Sequence, residues 1–308
     1  MDFNHIPVLL NEVASFVPES PKILVDFTLG GAGHSSFMLS QNPELYLYGI
    51  DQDSEALASA EKNLEKYSGR FSLIQSSFSK AVLHLVDKGI QADFILADLG
   101  VSSHQINSQN RGFSFRNCGP LDMRMDLNNS TTAATIVNEF DEKELYLIIK
   151  KFGEETFAKK IAQSIVIQRK KKPLLTTDDL THCIRSAIPK KFQYGRIHPA
   201  TKTFQAIRIA VNSEIEELTT LLQNSIKLAK KGGRIAIISF HSLEDRPVKK
   251  MFHLWENPCE CPTNIPYCIC GKKAEVKSLS KKIIRASQEE IDRNSRSRSA
   301  KLRVVEKL

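Results

Sequence analysis

The sequence predicts an α/β protein: a mostly parallel, seven-stranded, Rossmann-like sheet with an all-helical domain inserted between its fourth and fifth strands. Three observations carry this. Four short apolar runs, within 23–27, 45–50, 71–75 and 94–98, alternate with segments of helical period, the pattern of β-α-β units joined by right-handed crossovers. The alternation then stops, and residues 107–199 offer a polar loop and amphipathic helical segments with no convincing strand. A fifth apolar run, 234–240, returns the chain to the sheet, and 276–285 with 300–305 have the character of a closing antiparallel hairpin.

Each element has its own justification. Residues 1–20 read as a capping segment. Ile23, Leu24, Val25 and Phe27 form a run apolar on both faces, as a buried parallel strand must be. It ends at Gly30-Gly31-Ala32-Gly33, a turn whose glycines suit positive φ and close approach of a ligand to the backbone, and a helix is predicted from His34. The second run ends at Asp51, eighteen residues after Gly33. Residues 55–67 place Leu57, Ala60 and Leu64 on one helical face. A third strand over 71–75, a helix over 79–88 and a fourth strand ending at Asp98 follow. Helices are predicted over 131–140, 141–152, 155–169 and 177–188, the third with Phe157, Ile161 and Ile165 on one face. Residues 203–230 read as one long helix closed by Gly232-Gly233. The predicted domains are thus 1–106 with 200–308, and the helical insert 107–199, which would recognise substrate.

A chain of 308 residues, 41% hydrophobic, can bury one or two large cores. Its net charge of +8 and pI near 9.1 invite a polyanionic partner such as nucleic acid. No apolar run is long enough to span a membrane, and the start of the sequence reads as neither signal nor leader. The six cysteines do not make an extracellular disulfide pattern, so a cytoplasmic setting is expected.

Ligands of open α/β sheets sit at the carboxyl ends of the strands. Those ends collect Gly31, Gly33 and His34; Asp51 and Asp53; Ser76, Ser77 and Phe78; Asp98, Leu99 and Gly100; and Phe240, His241 and Ser242. An acid about 20 residues beyond a glycine turn accepts hydrogen bonds from ribose hydroxyls, the role expected of Asp51. The third glycine of the dinucleotide fingerprint is replaced by Ser36, and no Lys-Ser/Thr follows, which excludes a P-loop. The turn looks more like the first motif of S-adenosylmethionine (SAM) methyltransferases. Phe78 could stack on adenine or belong to the core, and Asp98 could face reacting groups or cap a helix. His241-Ser242 lacks a G-x-S-x-G elbow, which argues against a hydrolase, and Ser242 is expected to cap the following helix. Cys259, Cys261, Cys268 and Cys270 form C-x-C-x6-C-x-C, which could hold zinc or be a passive loop; no catalytic metal is expected. Basic clusters lie at Lys170-Lys171-Lys172, at Lys190-Lys191 with Arg196, and at Lys281-Lys282 with Arg285. The first two fall in the insert near Phe192, Tyr194 and His198, a composition suited to RNA phosphates and base stacking.

Seven blocks then carry a resemblance: HIPVLLNEV, FTLGGAGHS, LADLGVSSHQI, RGFSFRNCGPLDMRMD, FGEETFAKKIAQSIV, HPATKTFQAIRIAVNSEIEEL and ISFHSLEDRPVK. Together they run through nearly the whole chain. The chain resembles the bacterial RsmH/MraW family, which methylates N4 of a decoding-centre cytosine in 16S ribosomal RNA. The resemblance implies a class I SAM-dependent methyltransferase domain with an inserted helical domain. It implies SAM contacts at Ala32, Gly33, His34, Asp51, Phe78, Asp98 and Gln105. The implied partner is 16S rRNA in the small subunit, with no membrane and with a homodimer left open. An exocyclic cytosine amine is a poor nucleophile, so Asp98 is also the expected catalytic group, accepting from the amine, and residues 112–126 are expected to shape the base pocket. The alternatives are a methyltransferase acting on DNA or a small molecule, and a non-catalytic RNA-binding factor of the same fold.

Overall fold

A computed structural model describes residues 7–195, 197–262, 267, 269–280 and 282–308, without the side chain of Ser103. His5, Ile6, Arg196, Cys268 and Lys281, named above, lie outside the described residues. The chain divides into two compact units, residues 1–100 with 215–308, and residues 101–214.

The first unit is built on seven strands: β1 (Ile23–Asp26), β2 (Tyr46–Asp51), β3 (Phe71–Gln75), β4 (Ala92–Asp98), β5 (Ala229–Ser239), β6 (Val276–Ser278) and β7 (Lys301–Lys307). Their order is β3-β2-β1-β4-β5-β7-β6. The pairs from β3 to β5 are parallel, and β7 runs antiparallel to both β5 and β6. This is the class I methyltransferase arrangement that the sequence predicts. Alternate residues of the central strands serve opposite faces, as the period of two requires. Val25, Ile95, Ile235, Ile237 and Val305 enter one core, while Leu24, Leu47, Phe94, Leu96, Ala236 and Val304 enter the other. Helices Phe78–Asp87, Glu214–Leu228 and Ser242–Glu256 supply residues to the first core; Leu10–Ser15, Gly33–Gln41 and Ser54–Leu64 supply the second. Asp93 fixes the entry to β1: its buried carboxylate accepts Ile23 N at 2.9 Å and Lys22 N at 3.1 Å and pairs with Lys230.

Two expectations are corrected. The predicted helix over 203–230 is two helices, Thr201–Asn212 and Glu214–Leu228, separated by Ser213 in the left-handed region at φ 49°. Across that break the Arg208 guanidinium grips the Glu214 carboxylate at 2.7 and 2.8 Å. Gly232-Gly233 do not close a helix but lie inside β5, at an irregularity in its register with β4. There Gly232 has φ 78°, and a Cβ on Gly233 would meet the carbonyl of Ala92 at 2.6 Å, so glycine lets the strand close on its neighbour.

The second unit is helical: Ser103–Asn107, Ala133–Glu139, Glu142–Gly153, Ala158–Arg169, Thr177–Ala187 and Thr201–Asn212 surround a core that includes Ile136, Leu145, Ile161, Ile165, Leu180, Phe204 and Ile207. Side chains at Ser102, Thr132, Asp141 and Thr176 cap the N-termini of four of them, each with a reciprocal partner three residues on.

Candidate active site

In the first unit the direction of chain crossover reverses between β1 and β4, and the site is built where those strands end. Asp26 closes β1 and is buried; its Oδ2 accepts the Ser35 hydroxyl at 2.6 Å and its Oδ1 accepts Thr28 N at 3.0 Å. Burial nonetheless pushes its pKa up to about 6. Thr28 Oγ1 in turn accepts Asp98 N at 2.6 Å, which ties the end of β4 to the turn after β1.

Asp98 itself is anomalous. Its Oδ1 is buried and has no hydrogen-bond partner among the described residues. Burial drives its pKa well above the carboxylate range, and the charges of Asp26, Glu244 and Glu290 push it further. A cap would have spent that oxygen on a backbone N–H, so Asp98 is not a helix cap. A buried carboxyl with one unpartnered oxygen among other acids is costly to ionise, and that oxygen suits a cation or a hydrogen-bond donor.

Asp51 closes β2. Its Oδ2 accepts Gly30 N at 2.9 Å and its Oδ1 accepts Asp53 N at 2.9 Å. These bonds orient the carboxyl beside the glycine turn, while burial pushes its pKa up to about 6. Each oxygen keeps a lone pair for a hydroxyl donor. Asp53 is spent as the cap of the helix Ser54–Leu64, accepting Glu55 N at 3.1 Å.

The turn meets its conformational demands differently from the sequence expectation. Positive φ falls at Gly30 (50°) and at Ala32 (62°), the N-cap of the helix Gly33–Gln41. Gly33 is needed for close approach to protein rather than to ligand: a Cβ there would meet Pro7 Cγ at 2.5 Å. The helix opens at Gly33 and His34, ahead of its first bond from Ser36 N to Ala32 O, and such N–H groups with the helix dipole favour a carboxylate. His34 is buried with Nε2 2.9 Å from Val8 O, so the ring fastens the N-terminal segment. Phe78 is half-buried and packs edge-on to Phe27, ring centroids 6.3 Å apart, which makes it partly core and partly accessible. Gln105 falls in the second unit, where its buried side chain accepts Ser102 N at 3.0 Å in a capping box.

Sequence reasoning missed Asp26, Thr28, Ser35 and Glu290. Asp26 had a readable signal, an acid ending a buried strand. Glu290 had none, since it accepts Leu9 N at 2.8 Å from 281 residues away. His241 was also misplaced: it, not Ser242, is the N-cap residue of Ser242–Glu256, and Glu244 Oε2 accepts Phe240 N at 2.8 Å.

In the second unit, residues 111–126 form an ordered loop. The Arg111 guanidinium, 4% exposed, donates to the carbonyls of Arg124 and Met125 at 3.0 and 3.1 Å. Arg124 clasps Asp122 at 2.8 Å and donates to the carbonyls of Leu127 and Asn129. Asn212 accepts Met125 N and donates to Met123 O, both at 2.8 Å. Of the basic stretch, Lys170 and Lys171 are exposed, while Lys172 lies 3.7 Å from Asp179. Tyr194 is 84% exposed and Phe192 52%. His198 is instead stacked on Phe115, centroids 4.5 Å apart, and burial lowers its pKa.

No helix of the described residues is long and apolar enough to cross a membrane. A sequence profile of the MraW methylase family matches residues 2–308. A protein of Geobacter sp. (strain M21) named ribosomal RNA small subunit methyltransferase H is 47% identical over 310 residues, covering 100% of this chain and 99% of its own. A protein of the same name from Clostridioides difficile (strain 630) is 45% identical over 311 residues, covering 100% of both chains. Superposition on a solved rRNA methylase of Streptococcus thermophilus is loose, with a TM-score of 0.39 and 12% identity over 97% of this chain and 93% of that one. The fold assignment rests on strand order instead.

Proposed function

Because the chain belongs to the MraW methylase family, we propose that it transfers a methyl group from SAM to N4 of a decoding-centre cytosine in the 16S rRNA of the small ribosomal subunit. The reading rests on relatives named for the small-subunit RNA and, for the base and atom, on the resemblance of the seven motif blocks. The observation that carries it is Asp98 Oδ1, a buried carboxyl oxygen without a partner among the described residues, at the switch point of a class I sheet.

The residues fit the cofactor. SAM joins a carboxylate, an ammonium, a sulfonium and a ribose diol. Ala32, Gly33 and His34 at the helix N-terminus suit the carboxylate, and Asp51 suits the diol. Phe78, half-buried, is the candidate to stack on adenine, and Gln105 is included through the resemblance of its motif alone. The acids Asp26 and Asp98 are costly to ionise while buried, and a bound cation would favour their ionised forms, which then supply the negative field around it. When bound, the cofactor supplies a methyl group on a positively charged sulfur.

Everything else falls to the chain. Asp98 accepts a hydrogen bond from the exocyclic amine, which concentrates electron density on nitrogen and holds it in line. Its raised proton affinity also suits it to take the proton that the amine sheds as the N–C bond forms. The Thr28 bond to Asp98 N fixes where that carboxyl stands. The helical unit, with Lys170, Lys171 and Tyr194 exposed, grips flanking RNA while the target base is splayed from its stack.

Labelled methyl transfer to small subunits lacking the modification, with mass spectrometry of digested nucleosides, is the test. The expected product is N4-methylcytidine at one site. Asp98→Asn should keep SAM bound yet lower turnover at saturating SAM on the order of a hundredfold. Near-normal turnover removes Asp98 from the chemistry. No transfer by wild-type protein that binds SAM favours a non-catalytic RNA-binding factor.

A further inference from the structure

Between the helix Ser242–Glu256 and β6 lie residues 257–275, whose described residues have almost no apolar interior. The ends of this stretch are fastened by Glu275 N to Trp255 O at 2.8 Å and Ser278 N to Glu256 Oε1 at 2.9 Å. Between these anchors its described residues are largely exposed, with Tyr267 and Ile269 each 80% exposed. Loops longer than about 12–15 residues without regular structure are uncommon unless something other than a hydrophobic core holds them.

Three sulfurs converge there. The Sγ atoms of Cys259, Cys261 and Cys270 all lie within 4.8 Å of one another, drawn from both arms of the loop. A tetrahedral zinc with Zn–S bonds of about 2.3 Å sets its sulfurs about 3.8 Å apart, and Cys270 Sγ stands 3.9 Å from Cys259 Sγ. Ile269 N donates to Cys261 Sγ at 3.3 Å, a contact that favours the thiolate over the thiol. Lys272, paired with Glu260 at 2.6 Å, places an ammonium in the field of the Cys259 and Cys270 sulfurs, where it offsets the charge of a metal-thiolate centre.

We infer that Cys259, Cys261 and Cys270 form a structural zinc site that staples this loop, independently of methyl transfer. Zinc binds the three thiolates and their protons pass to solvent. The sequence offers a fourth thiol, Cys268, which lies outside the described residues. Ligation by thiolates alone is the pattern of structural zinc, so the metal closes the loop and takes no part in the reaction.

Metal analysis of the full-length protein, purified reduced and without chelator, tests this. Wild type should carry about one zinc per chain, and Cys259→Ser/Cys270→Ser less than about a tenth of that, with the Cys118→Ser control unchanged. Cobalt in place of zinc should give the strong visible bands of tetrahedral thiolate coordination, and chelation should speed protease cleavage within 257–275 by about tenfold or more. SAM affinity should be the same with and without the metal. Reduced wild type free of zinc that also fails to take up added zinc or cobalt would falsify the site. Zinc retained by the double variant would assign it elsewhere.

Discussion

At Asp98 and Asp26 the protein tolerates acids that solvent would ionise more readily. The folded chain holds the Asp26 proton to about pH 6, whereas an unfolded chain releases it near 4. This group therefore contributes stability below about pH 4 that is lost as pH rises through about 6. A bound cation reverses the preference, because it favours the ionised form. SAM carries a sulfonium that its demethylated product, S-adenosylhomocysteine, lacks; both keep the ammonium. The preference for SAM over the product should therefore grow about three- to tenfold between pH 5 and 7.5, as Asp26 ionises. Calorimetric titration of both ligands across that range measures it, and a flat ratio places these acids away from the sulfonium. The placement of Asp51, Phe78 and Asp98 at or just past strand ends was legible, because apolar runs mark where buried strands stop. Thr28 was not: its importance lies in a 2.6 Å bond to Asp98 N that no spacing announces.

Among the elements, the loop 111–126 shows how a polar stretch becomes rigid without apolar burial alone. Gly112 sits at φ 68°, and a Cβ there would stand 2.2 Å from the carbonyl oxygen of Pro120. Gly119 is as tightly placed, with 2.1 Å to the carbonyl oxygen of Gln109. Both clashes are with backbone, so neither can be relieved by rotating a side chain. Gly112→Ala should destabilise the protein by roughly 2–4 kcal/mol and displace Arg111 and Met123, which thermal unfolding and amide hydrogen exchange over 109–126 would report. Exchange unchanged from wild type would mean that the loop repacks freely. The same physics explains which elements were readable. Amphipathic helices such as Ala158–Arg169 follow from Phe157, Ile161 and Ile165 because their period is local. The glycines inside β5 answer to Ala92, far away in sequence, and the break at Ser213 is a single left-handed residue spanned by Arg208 and Glu214, which no apolar period announces.

For the whole molecule, the excess of positive charge raises the question of where it is used. Some of the basic side chains are committed to acids within the fold: Arg303 and Lys301 meet Asp245, Arg234 and Lys277 meet Glu306, and Arg208 meets Glu214. Those pairs hold β7 to its neighbours and keep the helical unit's last turn in place, so they are poorly placed to bind an external polyanion. Lys170 and Lys171 differ, being exposed at the end of Ala158–Arg169 with no ion pair among the described residues. Phosphate contacts release counterions, and each one lost flattens the dependence of log affinity on log salt by roughly one unit. Lys170→Ala/Lys171→Ala should thus weaken binding to small-subunit RNA, reduce the salt slope by about one to two, and leave SAM affinity as it was. Filter binding over a salt series distinguishes the outcomes. A weaker complex with an unchanged slope would mean that the lysines act through the fold of the helical unit, and no effect at all would mean that RNA is gripped elsewhere.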